Sequence, residues 1–185
     1  MKNTNSEDNS ITIYRKVTEL YFKEYIKELK INRGERILDF GCGRGSFSEI
    51  LLRTLNGSYA LYLYDKDKSR QAEIDDKFIN QREVYIIKNL ADLSSIADGS
   101  IDRVILHFVL HEMNLVETEQ LFMIFHRLMK QGGSINIRDP LGSKEGLDIQ
   151  EIDRIICGSG FAINDIQTFD MPFQGRAVSI YAIAS

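Results

Sequence analysis

The chain has 185 residues, 43% hydrophobic and 27% charged, with a net charge of −4. This composition excludes a disordered chain and suits one globular core, while the acidic balance argues against a broad surface for nucleic acid or an anionic membrane, so neither partner is expected. The two cysteines, Cys42 and Cys157, form no metal-type cluster and no stretch is apolar for long enough to span a bilayer, so the expectation is a soluble, cytoplasmic protein with no metal.

Residues 1–10, "MKNTNSEDNS", hold no apolar signal-peptide core and read as a flexible tail ahead of a single domain over 11–185. From Ile11 to Leu29, Val17, Leu20, Tyr21, Ile26 and Leu29 recur at helical spacing. "RILDF" then predicts a buried strand and "GSFSEILLRTL" a helix with Phe47, Ile50, Leu51 and Leu55 on one side. The alternation continues with strand "YALYLY", helix Asp67 to Ile79, strand "EVYII" and a loop from Lys88 to Ser100. Strand "IDRVIL" comes next. The helix from Val116 to Met129 follows, opened by an Asn114 cap with Glu117 three residues on. "KQGG" reads as a turn, "SINIR" as a fifth strand, and Ile149 to Cys157 as a helix closed by Gly158 or Gly160. Two last strands, "FAINDIQTF" and "AVSIYAIA", flank "DMPFQGR" with no helix between them. Strands alternating with helices predict a doubly wound, Rossmann-like α/β sheet with helices on both faces. The last two strands add an antiparallel edge pair, making seven.

The stretch "ILDFGCGRGSF", Ile37 to Phe47, places three glycines within five positions directly after the first strand. Glycine in an ordered element costs about 0.5–1 kcal/mol relative to alanine, so the cluster needs a backbone reason. In a doubly wound sheet, ligands bind beyond the carboxyl ends of the strands where strand order reverses, which is where this loop falls. Its N–H groups can reach a ligand at the start of the next helix. The dinucleotide pattern G-x-G-x-x-G fits only in part: Gly41 and Gly43 match, but Ser46 stands at the third glycine and Asp39 precedes the first. A carboxylate repels a pyrophosphate and attracts a cation. The second strand ends in Asp65, twenty residues after Gly45, where an acid can accept both hydroxyls of a ribose.

"DFGCGRG" resembles the first motif, D/E-x-G-x-G-x-G, of the class I S-adenosylmethionine-dependent methyltransferases. "ADGSIDRVILHFVLHEM" is similar to that family's fourth-strand segment, and "RLMKQGGSINIRDP" to its L-K-P-G-G turn and fifth strand, with Gln131 in place of the proline. The likeness runs from about Glu35 to the C-terminus as an ordered series. It implies S-adenosylmethionine as cofactor, S-adenosylhomocysteine as product, and a loop of Asp39, Gly41, Cys42, Gly43 and Gly45 around the methionyl part. Asp39 would face the amino group and Asp65 the ribose, with Lys66 beside it. Leu90 and Ala91 would lie at the adenine, and His107 near the methyl. The family often has an acid where Leu90 stands, so Asp92 is the substitute candidate for the adenine amino group.

Methyl transfer is an in-line displacement on an activated carbon, so alignment matters more than a catalytic triad. A base is needed only if the acceptor must lose a proton, and His107 is the weak candidate for it. His111, Arg138 and Tyr14 are candidates for the acceptor pocket, Arg138 for an anionic group. Tyr21 and Tyr25 read as core or as a cover over the cofactor, and His126 as structural. The D/N-P-P-Y/F of amino-methylating DNA enzymes is absent, and only "DPLGSKEG" separates the fifth strand from its helix. The resulting expectation is a small-molecule acceptor, covered by the N-terminal helix or by the second subunit of a homodimer. Two alternatives remain at this point: a non-catalytic S-adenosylmethionine-binding partner protein and a nicotinamide-dependent oxidoreductase.

Overall fold

The computed structural model describes residues 4–55, 59–141, 148–171 and 175–185, with side chains from 12 onward. Helix α1 (Thr4–Leu29) precedes β1 (Arg36–Phe40), α2 (Ser46–Leu55), β2 (Ala60–Tyr64), α3 (Lys68–Phe78) and β3 (Val84–Ile87). The second half comprises β4 (Ile101–His107), α4 (Leu115–Leu128), β5 (Met129–Pro140), α5 (Ile149–Gly158), β6 (Phe161–Met171) and β7 (Gly175–Ala184). All seven strands form one sheet in the order β3-β2-β1-β4-β5-β7-β6. The pairs among β1 to β5 are parallel, and β7 runs antiparallel to both β5 and β6. The expected class is therefore observed, and strand order reverses between β1 and β4, where the glycine loop begins.

The inner strands β1, β2 and β4 are buried on both sides because both faces are covered there, whereas the edge strand β6 is largely exposed. Successive side chains alternate, so Ile37 of β1 joins Leu51, Leu61, Ile74, Phe78 and Ile105 under α1, α2 and α3. Leu38 and Phe40 point the other way, among Leu106, Phe122, Phe125 and Ile152 of the α4 and α5 side. The α4 cap is as expected: Asn114 Oδ1 accepts from the Glu117 amide at 3.0 Å while Glu117 returns to the Asn114 amide at 3.2 Å.

Four boundaries differ from the sequence reading. Helix α1 begins at Thr4, so most of the stretch expected as a loose tail is helical. A polar composition marks exposure but does not stop a helix already nucleated downstream, because propagation is far easier than nucleation. "KQGG" lies inside β5 as an irregularity: between the pairs Ile101↔Met129 and Arg103↔Ser134, one residue of β4 stands against four of β5. The Lys88–Ser100 loop contains a 3₁₀ turn, Leu90–Ser95, opened by an Asn89–Asp92 capping box. Finally, β6 and β7 run on through much of "DMPFQGR", pairing from Phe161↔Ala184 to Met171↔Gly175, since an antiparallel ladder satisfies backbone groups whatever the side chains. Residues 142–146 of "DPLGSKEG", and 147 after them, lie outside the described residues.

Candidate active site

The loop after β1 folds back onto the tip of β2. The amides of Gly41 and Cys42 donate to the Tyr64 carbonyl at 2.7 and 3.0 Å, and the Gly43 amide donates to Asp65 Oδ2 at 2.8 Å. Gly41 has φ +77° and a Cβ there would stand 2.4 Å from Val109 Cγ2, so the glycine permits both the turn and the close approach of the next wall. Gly43 has φ +58° with nothing within 4 Å of a Cβ, so its requirement is the backbone and the space beside it is open.

Asp65 is buried and held by backbone: Oδ1 accepts from the Asp67 amide at 2.9 Å, Oδ2 from Gly43. Each carboxylate oxygen has a second lone pair, so the group is oriented without being saturated. Arg70, which the sequence reading did not single out, stands 3.7 Å from Asp65 and 3.5 Å from Asp67. Asp39 is 1% exposed and accepts from Ser48 Oγ; among the described residues no lysine or arginine pairs with it. Burial, reinforced by the charge of Asp65 and eased by Ser48, pushes its carboxyl up to about 7. Burial likewise raises the Cys42 thiol, which keeps it an inert part of the loop.

Two cavities open on either side of Gly41, Arg70 and Phe108. One, of about 210 Å³, is lined by Asp39, Gly41, Cys42, Gly43, Phe47 and His107 among others. The second, of about 270 Å³, is lined by Asp65, Lys66, Leu90, Val109, Met113 and Leu121 among others, and is mostly apolar. Lys66 pairs with Glu112 at 3.1 Å, both of them lining this second cavity.

The opposite wall follows β4. Phe108 takes φ +60°, an uncommon conformation for a bulky residue, and the Asp139 carboxylate of β5 holds the turn after it. That carboxylate accepts from the amides of Val109, Leu110 and His111 at 2.9, 2.8 and 3.1 Å and contacts His111 Nδ1 at 3.0 Å. Asp139, which in the sequence reading follows the fifth strand with Arg138 and could on that ground face the acceptor, is instead the clamp of this turn.

His107 sits in a cluster of rings. Tyr21, Phe22, Tyr25, Phe47 and Phe108 have centroids 4.7–5.9 Å from it, Phe47 parallel within 3°. Burial, and the nearby Arg138 charge, push its pKa down to about 3, and its Nε2 is buried without a hydrogen-bond partner. Such a weak base is poorly suited to the general-base role considered for it.

Of the remaining candidates, Leu90 lines the second cavity whereas Ala91 is exposed beside it. Asp92 caps its own turn, its Oδ2 accepting from Asn89 N and Nδ2 at 2.9 and 3.0 Å, and it lies outside the lining of the second cavity. Tyr14 is 51% exposed on α1, outside the lining of both cavities. His111 is engaged by Asp139. Arg138 is buried with its charge matched by Glu28, its Nη1 donating to Tyr21 Oη at 3.1 Å and its guanidinium 3.8 Å from the Tyr25 ring centre. It has no free charge for an anionic acceptor. His126 packs on Phe161, as expected of a structural residue.

Among the described residues no group of three His, Cys, Asp or Glu could hold a metal ion, and no helix is long and apolar enough to cross a membrane.

Comparison with known proteins accords with this geometry. The family described as the methyltransferase domain matches residues 38–137. The tRNA N(3)-methylcytidine methyltransferase trm140 of Schizosaccharomyces pombe is 30% identical over 125 residues, 64% of this chain and 41% of that protein. The chain thus spans well under half the length of this curated relative. Among solved structures, an S-adenosylmethionine-dependent methyltransferase from Aquifex aeolicus shares the fold with a TM-score of 0.75 at 17% identity, covering 89% of both chains. Magnesium protoporphyrin IX methyltransferase from Synechocystis PCC 6803, with S-adenosylmethionine bound, gives 0.71 at 17% identity over 100% of this chain and 86% of its own. With the family matched across more than half its length and its glycine loop, acids and strand order in place, the chain belongs to the class I S-adenosylmethionine-dependent methyltransferases.

Proposed function

We propose that this enzyme methylates a small molecule, with the amino-acid end of S-adenosylmethionine beside Asp39 and Gly43 and its nucleoside in the cavity of Asp65, Lys66 and Leu90. The residues fit that cofactor. A buried carboxyl with no cationic partner suits an ammonium, and an oriented carboxylate with free lone pairs suits a ribose diol. The apolar cavity bounded by Leu90, Phe108 and Met113 suits a purine. When bound, the cofactor supplies a methyl group on a positive sulfur, already activated toward a nucleophile.

The chain's own contribution is placement and exclusion of water. Asp39 holds the amino-acid end, Asp65 the ribose, and the rings of Phe22 and Phe47 close the side next to His107. Holding two reactants in line removes much of the entropic barrier, so no further catalytic group is required.

The observation that carries the small-acceptor reading is the cavity of about 210 Å³ bounded by Phe22 and Phe47. It suits the tail of the cofactor and a compact acceptor rather than a folded nucleic acid. The net charge of −4 points the same way. A second reading, methylation of a tRNA nucleotide, is favoured by the match to the Schizosaccharomyces pombe enzyme. Radiolabelled methyl transfer from S-adenosylmethionine, run against a small-molecule panel and against bulk tRNA, decides between them. Incorporation into the panel alone is expected; incorporation into tRNA alone would replace the proposal with the second reading.

A further inference from the structure

We propose that the acceptor is an uncharged molecule with a flat apolar body and a hydroxyl or N–H, recognised by Tyr25, His107 and Arg138 beneath α1. This rests on the small-acceptor reading and names its substrate class.

Five buried side-chain polar atoms have no hydrogen-bond partner among the described residues, and three of them, Tyr25 Oη, His107 Nε2 and Arg138 Nε, belong to residues packed against one another. The Tyr25 and His107 rings are 5.7 Å apart, the Arg138 guanidinium is 3.8 Å from the Tyr25 ring centre, and His107 and Arg138 are direct neighbours across β4 and β5. Packed interiors pair their buried polar atoms, because one left unpaired carries its full desolvation cost. Three unpaired atoms in one cluster point to a ligand that pairs them.

The chemistry of the three atoms specifies that ligand. Burial keeps the His107 ring neutral, and Nε2 is the buried ring nitrogen without a partner. The neutral ring accepts at Nε2 in one tautomer and donates there in the other. Arg138 Nε–H can only donate, and the Tyr25 hydroxyl does either. A hydroxyl, or an N–H beside a carbonyl, satisfies both kinds of partner at once.

Charge is excluded on both sides. The Arg138 cation is already matched by Glu28, so a buried carboxylate or phosphate would have no free counter-charge. A cationic acceptor would compete for Asp39, which the cofactor's ammonium occupies in the proposed function. The walls are aromatic, from Tyr21, Phe22, Phe47 and Phe108, and receive a flat apolar body. Tyr25 and Arg138 are 2% and 5% exposed, so α1 must shift to admit the molecule.

The test uses the full chain saturated with S-adenosylhomocysteine and titrated separately with phenol, anisole and benzoate, following binding by NMR. Phenol is expected to bind about tenfold more tightly than anisole or benzoate, the difference a buried unpaired acceptor produces. In Tyr25→Phe that preference shrinks while the melting temperature does not fall, because the substitution removes only an unpaired hydroxyl. In His107→Phe the preference disappears, and in His107→Gln, which restores a polar group, part of it returns. Equal binding of phenol and anisole, tighter binding of benzoate, or an unchanged preference in Tyr25→Phe and His107→Phe would overturn the proposal. So would the absence of binding by all three. In that case methyl incorporation into tRNA would show that the small-acceptor reading had failed as well, and failure to bind S-adenosylhomocysteine would show that the cofactor assignment had failed.

Discussion

The wall of the cleft built from β1 and β2 is held by residues close in sequence, such as the Gly43 amide on Asp65, 22 positions apart. The opposite wall joins distant parts of the chain. Asp139 reaches back 30 positions to Val109, and Arg138 reaches 110 to Glu28 and 117 to Tyr21. The first wall is mostly backbone and two acids, positioned by glycines that tolerate positive φ. The second is mostly aromatic side chains, positioned by a strained turn and a buried carboxylate. A wall made of backbone can be written as a short motif. A wall made of packed rings depends on which helix covers which strand end, and no short pattern encodes that.

Four measurements test this difference, the largest effect first. Asp65→Ala is expected to weaken S-adenosylmethionine binding about a hundredfold by titration calorimetry, because charged hydrogen bonds contribute about 1.5–3 kcal/mol each and the loop amides also lose their acceptor. An unchanged affinity would move the ribose away from this wall and break the comparison. Asp139→Asn, on the other wall, is expected to lower the melting temperature by about 4–12 °C, since an amide cannot accept all the donors the carboxylate does. A calorimetric scan showing no shift would mean that the Phe108 turn holds without its clamp.

The third measurement concerns pH and Asp39. Its carboxyl stands at about 7 in the folded chain against an ordinary 3.8, so the folded state binds the proton more tightly than the unfolded state. Below the ordinary value the group is protonated in both states and costs nothing, and the ligand-free protein loses stability as pH rises from there to about 7. A bound ammonium favours the ionised form. S-Adenosylmethionine affinity should accordingly rise with pH between about 5.5 and 7.5, the range below the titration of an α-amino group. Calorimetry across that range tests the slope, which Asp39→Asn should abolish.

The smallest effect is expected at Lys66 and Glu112, whose pair is largely exposed. Glu112→Gln should change affinity by less than about fivefold, and only at low salt. A larger change, persisting at high salt, would make this pair part of the binding site.

Much of the first wall was legible because its requirements are local. Three glycines after an apolar run, Asp39 before them and Asp65 at the next strand tip fall where strand alternation alone puts a switch point. The capping use of Asp92 was not legible, because spacing does not distinguish a carboxylate that serves a cap three residues away from one that meets a ligand. Arg138 was read as available for an anion because the sequence does not show that Glu28, 110 positions earlier, already matches its charge. Asp139 was legible only as an acid after the fifth strand, because its bonds to the amides of Val109, Leu110 and His111 cross about 30 positions.

Composition, apolar alternation and glycine placement determined by themselves the order of elements, the layered sheet and the position of the cofactor loop, since each depends on residues within a few turns of one another. Only the tertiary structure decided that α1 covers His107, that the Arg138 charge is matched by Glu28, and that three neighbouring side chains each keep a buried polar atom without a partner among the described residues. Those outcomes depend on burial and on long-range pairing, which removes water from some groups and hydrogen-bond partners from others, and a linear pattern does not record which.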